Sequence, residues 1–161
     1  MIYNLTREAA KAEPSPSSWS VADISGASYK FVLNSSGYYE SNNKGVDSSA
    51  AMCRVNLKIT RPSNITFKCI NYAESNYDFG LLGTLDTAMN TGYSDVSTGV
   101  KKSFKGSSSS SVQTYTYSNV STGNHFIDVK YRKDSSVSNN NDSLQFTVEI
   151  DNFFHSGGST N

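Results

Sequence analysis

From Ser20 onward, apolar and polar side chains alternate with a period of two. Tyr29, Phe31 and Leu33 open the series. Cys53, Val55, Leu57 and Ile59 point one way, while Arg54, Asn56 and Lys58 point the other. Ile65, Phe67 and Cys69 repeat the pattern, and Val112, Thr114 and Thr116 alternate with Tyr115 and Tyr117. His125, Ile127, Val129 and Tyr131 oppose Phe126, Asp128 and Lys130, and Leu144, Phe146, Val148 and Ile150 form the last clear run. Phe79 to Leu82 is a short continuous apolar stretch. Alternation of this kind marks strands with one buried face, and such strands hide that face by stacking two sheets. The pattern predicts an all-β fold, an antiparallel β-sandwich of jelly-roll-like form. Polar loops are expected at 34–37, 41–49, 94–99, 105–111 and 134–142. The serine run 107–111 is low in complexity and expected to be mobile. No repeat of 20–50 residues is visible, which excludes a solenoid.

Residues 1–18 read differently. Thr6-Arg7-Glu8-Ala9-Ala10-Lys11-Ala12-Glu13 has helix-forming composition with Thr6 as N-cap, and Pro14 and Pro16 end any helix. One short helix buries little alone. The segment is either a frayed terminus or an arm docking on another protein, with Tyr3, Leu5, Arg7 and Lys11 as anchoring side chains. The expected organisation is an arm at 1–18, a sandwich at 19–154 and a polar tail at 155–161. The N-terminus has no basic segment followed by an apolar run, so no secretory signal is read. No apolar stretch approaches the roughly 20 residues that span a bilayer.

Composition narrows the function classes. The chain has 161 residues, enough for one domain with its own core. Fourteen Lys and Arg balance fourteen Asp and Glu, which excludes a wholesale electrostatic grip on nucleic acid or an anionic membrane. Charged residues are only 17% of the chain, whereas Ser, Thr and Asn number 57, so neutral hydroxyls and amides must solvate the surface. Ten Tyr and eight Phe are too many for a disordered polar chain.

The two cysteines, Cys53 and Cys69, flank the turn Arg61-Pro62-Ser63-Asn64. If their strands pair as a hairpin, Cys69 faces Val55 and Cys53 faces Asn71. The thiols are then diagonal neighbours roughly 7–8 Å apart, beyond disulfide reach. If the strands lie in opposite sheets, this argument lapses. Two buried free thiols are favoured over a disulfide. With His125 and His155 distant in sequence, no zinc site is read.

Catalytic signatures are missing. There is no nucleophile elbow, no glycine-rich phosphate loop, no HExxH and no CxxC. His125 alternates with Ile127 and Val129 and reads as a satisfied, partly buried histidine. His155 reads as solvated. An enzyme is not expected.

One constellation stands out. The segment Asn71 to Gly80 and the segment Val129 to Ser136, continuing into Asn139-Asn140-Asn141-Asp142, together offer Glu74, Asp78, Asp134 and Asp142. Calcium takes six to eight oxygens from such loops. Three readings stand: a metal bridges the loops, the Asp and Asn side chains cap turns, or Arg132 or Lys133 pairs with the carboxylates. Separately, Tyr38, Tyr39, Tyr72, Tyr77 and Tyr93 lie in or beside turns. They are either glycan-binding rings, since an aromatic face covers the apolar face of a pyranose, or plugs for the open ends of the sandwich.

Several stretches occur in an order that resembles a recurrent domain of tailed bacteriophages and prophages of gut bacteria. They are Gly37 to Val46, Ala51 to Val55, Ile70 to Gly80, Leu85-Asp86-Thr87, Val100 to Gly106, Gly123 to Asp134 and Asn141 to Phe146, and the resemblance spans roughly residues 29–150. More distantly the chain is similar to jelly-roll modules of the CUB and MAM type, where a Tyr-Asp after a strand and a later Lys-Asp loop occupy similar places. In CUB modules such loops can hold calcium. The resemblance implies a virion surface protein, either a capsid decoration or a head fibre, or alternatively a carbohydrate- or receptor-binding module of a tail fibre. Its implied partners are other virion proteins, a host or mucus glycan and, as in many fibres, two further copies in a homotrimer. A short chain opening on its own methionine fits a stand-alone particle protein made in the bacterial cytoplasm, with residues 1–18 as the anchor. Phe153-Phe154 either closes the core or serves an interface.

Overall fold

The computed structural model describes residues 15–73, 77–134 and 142–151. The helix expected at 6–13, the anchoring residues Tyr3, Leu5, Arg7 and Lys11, the acid Glu74, the pair Phe153-Phe154 and the tail with His155 lie outside the described residues. Among the described residues the regular structure is all strand. In order the strands are β1 (Ser18–Asp23), β2 (Phe31–Leu33), β3 (Tyr39–Ser41), β4 (Ser49–Ile59), β5 (Ser63–Tyr72), β6 (Phe79–Gly83), β7 (Val100–Lys105), β8 (Gln113–Val120), β9 (Gly123–Lys133) and β10 (Ser143–Asp151). They form two five-stranded sheets, one in the order β1-β4-β9-β6-β7 and the other β2-β3-β10-β5-β8. All strand pairs are antiparallel. This is the jelly-roll-like sandwich that the alternation predicts.

The inward sets meet between the sheets. Ala51, Cys53, Val55, Leu57 and Ile59 of β4 and Ile127, Val129 and Tyr131 of β9 face Ile65, Phe67 and Cys69 of β5 and Leu144, Phe146 and Val148 of β10. Burying apolar surface at about 25 cal/mol per Å² is the main force holding the layers. Phe146 is the hub, with Phe31, Tyr39 and Phe67 around it at 5.5, 5.8 and 5.9 Å between ring centroids.

One open alternative is decided and three expectations change. β4 and β5 are not a hairpin: the three-residue link 60–62 carries the chain from one sheet to the other. Cys53 and Cys69 therefore approach from opposite layers, and both are buried and free. Ser18, assigned to the arm, already belongs to β1, and Ser17 Oγ accepts the Thr60 amide hydrogen bond at 2.9 Å. The loop expected at 41–49 gives up its ends, Ser41 closing β3 and Ser49 opening β4. The serine run begins tied down rather than loose, because Ser107 N donates to Asn71 O and its own carbonyl accepts from Ala73 N, each at 3.1 Å.

The first sheet also has a second, smaller core on its outer face. Met52 and Leu81 point away from the main core and are covered by Met89, with Ile24, Ala27, Phe79, Val96 and Val100 packed around them. Met89 and Val96 come from the β6–β7 connection, residues 84–99, which folds back over the sheet. Its closing turn uses Gly99 at φ +74, where a Cβ would approach the Ala88 carbonyl oxygen to 2.8 Å; only glycine fits such a left-handed, crowded position without strain.

Candidate functional site

Period two on β9 sends Ile127, Val129 and Tyr131 inward, and the same phase delivers Lys133, the last residue of the strand, to the same face. A lysine at the end of a core needs counter-charge and hydrogen-bond acceptors. Asp78, in the β5–β6 connection, and Asp142, just before β10, provide them. Lys133 Nζ lies 3.3 Å from Asp78 Oδ2 and 3.2 Å from Asp142 Oδ2. The three side chains are 1%, 1% and 3% exposed. Asp78 Oδ1 also accepts the Asp134 amide at 3.0 Å.

Main-chain bonds fix this knot. The Asp78 carbonyl accepts Gly106 N at 2.8 Å, and Asn71 Nδ2 donates to Phe104 O at 2.8 Å. The Asp134 carbonyl accepts Ser48 N at 2.7 Å, with Ser48 in the left-handed region at φ 53. Asn43 Nδ2 donates to Ser49 Oγ at 2.9 Å. Beside it Ser143 Oγ donates to Glu40 Oε2 at 2.7 Å, and Lys44 pairs with the same oxygen at 2.9 Å. Burial raises the pKa of Asp78 more than the Asp134 amide and Lys133 lower it, so its carboxyl titrates above the ordinary aspartate range. Burial works against the Glu40 carboxylate as well, but hydrogen bonds from Lys44, Ser143 and Asn34 outweigh it and hold the pKa below its usual value.

The loops carrying Asp78, Asp134 and Asp142 thus converge, as the calcium reading requires. The space between Asp78 and Asp142 holds the Lys133 ammonium rather than a metal ion, which is the third of the three readings. Among the described residues no group of three or more His, Cys, Asp and Glu side chains is arranged to hold a metal ion.

Of the five tyrosines only Tyr38 and Tyr39 are chain neighbours, and these two belong to different environments. Tyr39 is half-buried against the core, stacked on Phe146 and met edge-on by Trp19 at 5.9 Å, so its ring face is already used. Tyr38 follows the 34–37 turn and its amide donates to Asn34 Oδ1 at 3.0 Å. Tyr72 ends β5 opposite Ser143. Tyr77 and Tyr93 are the exposed ones, at 56% and 41%. Tyr77 neighbours the Lys133 knot, and its carbonyl accepts Arg132 Nη1 at 3.1 Å. Tyr93 rides on the 84–99 connection. A groove of about 440 Å³ along Ser18, Ser20, Asn56, Lys58 and Asn124 contains none of the five.

His125 is satisfied on both nitrogens, Nδ1 against Asp86 Oδ2 at 2.7 Å and Nε2 against the Ser121 carbonyl at 2.8 Å. Burial disfavours the imidazolium, but Asp86 and the Ser121 carbonyl outweigh it and raise the pKa. The Ser121 hydroxyl also lies 3.3 Å from Nε2, so a serine Oγ, the imidazole and the Asp86 carboxylate stand in line.

A second buried lysine was not singled out by sequence reasoning. Lys130, on the outer face of β9, donates to the carbonyls of Asn90, Gly92 and Asp95 at 2.7, 2.6 and 2.8 Å. Next to it Asp128 takes a bidentate bond from Arg54 at 2.7 and 3.1 Å and the Met89 amide at 3.0 Å. Together they strap the 84–99 connection to the sheet. The available signal is the pair of continuous apolar runs, Ala50 to Cys53 and Phe79 to Leu82, because a strand buried on both faces loses its alternation.

No protein-family model matches the chain, and no curated protein matches it.

Proposed function

We propose that the chain is a bacteriophage virion surface protein, a capsid decoration or head fibre, that holds a β-sandwich outward from the particle. The observation that carries this reading is where the recurrent stretches fall. Ile70 to Gly80, Gly123 to Asp134 and Asn141 to Phe146 supply Asp78, Lys133 and Asp142 of the buried knot. Three charged members of the motif string, Asp78, Lys133 and Asp142, are sealed inside with a main-chain hydrogen bond to Asp78, which suits a rigid scaffold rather than turnover of a substrate. The neutral surface of hydroxyls and amides and the absence of net charge support an outward-facing structural role. Adhesion to a glycan would use Tyr77 and Tyr93, whose rings are free to cover a sugar face.

The test is particle composition. Phage particles purified from a producing culture should carry this chain in a fixed ratio to the major capsid protein. Removal of residues 1–14, which leaves β1 and the Ser17–Thr60 bond intact, should abolish incorporation while the sandwich still folds. A chain missing from purified particles would refute the virion reading, and full incorporation after the deletion would refute the arm. Tyr77→Ala with Tyr93→Ala should remove signal on a glycan array; unchanged binding would dismiss those rings.

A further inference from the structure

The Lys133 knot carries a chemical consequence beyond any virion role. Its three members are a primary amine, a carboxyl group and a second carboxylate, enclosed together at one end of the core. We infer that Lys133 and Asp78 form an intramolecular isopeptide bond, with Asp142 as the proton shuttle.

The step needs no co-reactant. A proton passes from the Lys133 ammonium to the Asp78 carboxylate, giving a neutral amine beside a neutral acid. In a low-dielectric interior the neutral pair is favoured relative to water, because separated buried charges are costly. The amine lone pair attacks Asp78 Cγ, and the N–C bond forms. Asp142 accepts the second proton from nitrogen and delivers it to the leaving hydroxyl. The C–O bond breaks, one water departs, and the nitrogen keeps its last hydrogen as an amide. An ammonium and a carboxylate become one amide and one water.

Geometry supplies what such a step requires. Nζ is held 3.3 Å from Asp78 Oδ2, an oxygen of the carboxyl group it attacks, so the two reacting groups are already neighbours in the fold. It is 3.2 Å from Asp142 Oδ2, within reach for proton transfer. Asp78 Oδ1 faces the Asp134 amide at 3.0 Å, so one carboxyl oxygen is hydrogen-bonded by a fixed donor as negative charge develops on it, while the other is free to leave. Burial favours the protonated, electrophilic form of Asp78. The Tyr131 ring, with its centroid 5.8 Å from Nζ, walls the site, and exclusion of water opposes the reverse hydrolysis. The bond would join the β5–β6 connection to the end of β9.

The experiment is intact-mass spectrometry of the full 161-residue chain in denaturant, followed by peptide mapping. The expected mass is one water below that of the sequence, with a branched peptide linking Lys133 to Asp78. Asp142→Asn should leave the chain at its full mass, as should Lys133→Arg. A wild-type mass equal to that of the sequence overturns the inference, even if both variants fail to fold. A water loss mapped elsewhere, or a branch from Lys133 to Asp142, overturns it equally. A bond formed at the same rate in Asp142→Asn overturns the shuttle.

Discussion

Lys130 Nζ donates to the main-chain carbonyl of Asp95 at 2.8 Å, across the gap between β9 and the connection that covers it. With Asn90 O and Gly92 O the three ammonium protons are all used. Lys130→Met keeps the stem and removes the donors, leaving three carbonyls without their partner. Hydrogen bonds to a charged group are worth about 2 kcal/mol each, partly offset here by relief of the buried charge. The variant should lose about 2 kcal/mol in urea unfolding, and amide exchange should accelerate in residues 84–99 before it does in β4 or β9. Uniform exchange rates across the molecule would count against the strap.

Asp128 serves two elements at once, Arg54 of β4 and the Met89 amide. Asp128→Ala removes a fully buried carboxylate and strands both donors. Arg54 is one-third exposed and can turn to water, so the loss belongs at the lower end for a broken buried pair, about 3 kcal/mol. Arg54 also lies 4.1 Å over the Phe126 ring, a contact the variant should keep. Equilibrium denaturation with Arg54→Ala and the double variant gives the coupling energy; additive losses would show that the two side chains act separately.

The His125 pair makes stability depend on pH in one direction. Its folded pKa is raised above the ordinary value of 6.5, with Asp86 and the Ser121 carbonyl overcoming the burial penalty. The folded state therefore binds the proton more tightly than the unfolded chain. That stabilisation is complete below pH 6.5 and is lost as pH rises through the folded pKa. The melting temperature should fall across this window, and His125→Gln should flatten the dependence. A melting temperature that rises from pH 6 to 8 would contradict the assignment.

The thiols should be inert in the folded protein. Burial pushes Cys69 up to about 12 and Cys53 well above its usual range, where Asp128 and Asp23 add to the effect. Neither presents a thiolate near neutral pH. A chromogenic thiol reagent should find no reactive group in the native state and both groups in denaturant. Reaction of one thiol under native conditions would mean that a layer opens locally.

The strands with one buried face were legible because their alternation is long: β4, β5, β9 and β10 each run nine to eleven residues. β7 was not, since only Phe104 of its six residues is buried and an edge strand has little apolar pattern to show. Tyr39 was misplaced for the related reason that three-residue β3 is too short to display a period. The β4–β5 link illustrates a different limit. Three residues can turn a hairpin between strands about 4.8 Å apart or step between sheets about 10 Å apart, and composition does not choose. At the knot, sequence offered Asp78, Asp134 and Asp142 on two segments, and their convergence is a finding of the structure. Which cation stands between them depended on the phase of β9, readable from Ile127, Val129 and Tyr131 and continued to Lys133.

The strap over the first sheet grips the chain by its peptide oxygens. Every residue has that oxygen, so the clamp is blind to what the side chains are. Thr91, Tyr93 and Ser94, exposed between the gripped positions, are free to change identity while the backbone beneath them stays where it is. The 84–99 connection is in this sense a mount with interchangeable faces, on which a lineage can alter what its surface touches without refolding the sheet below.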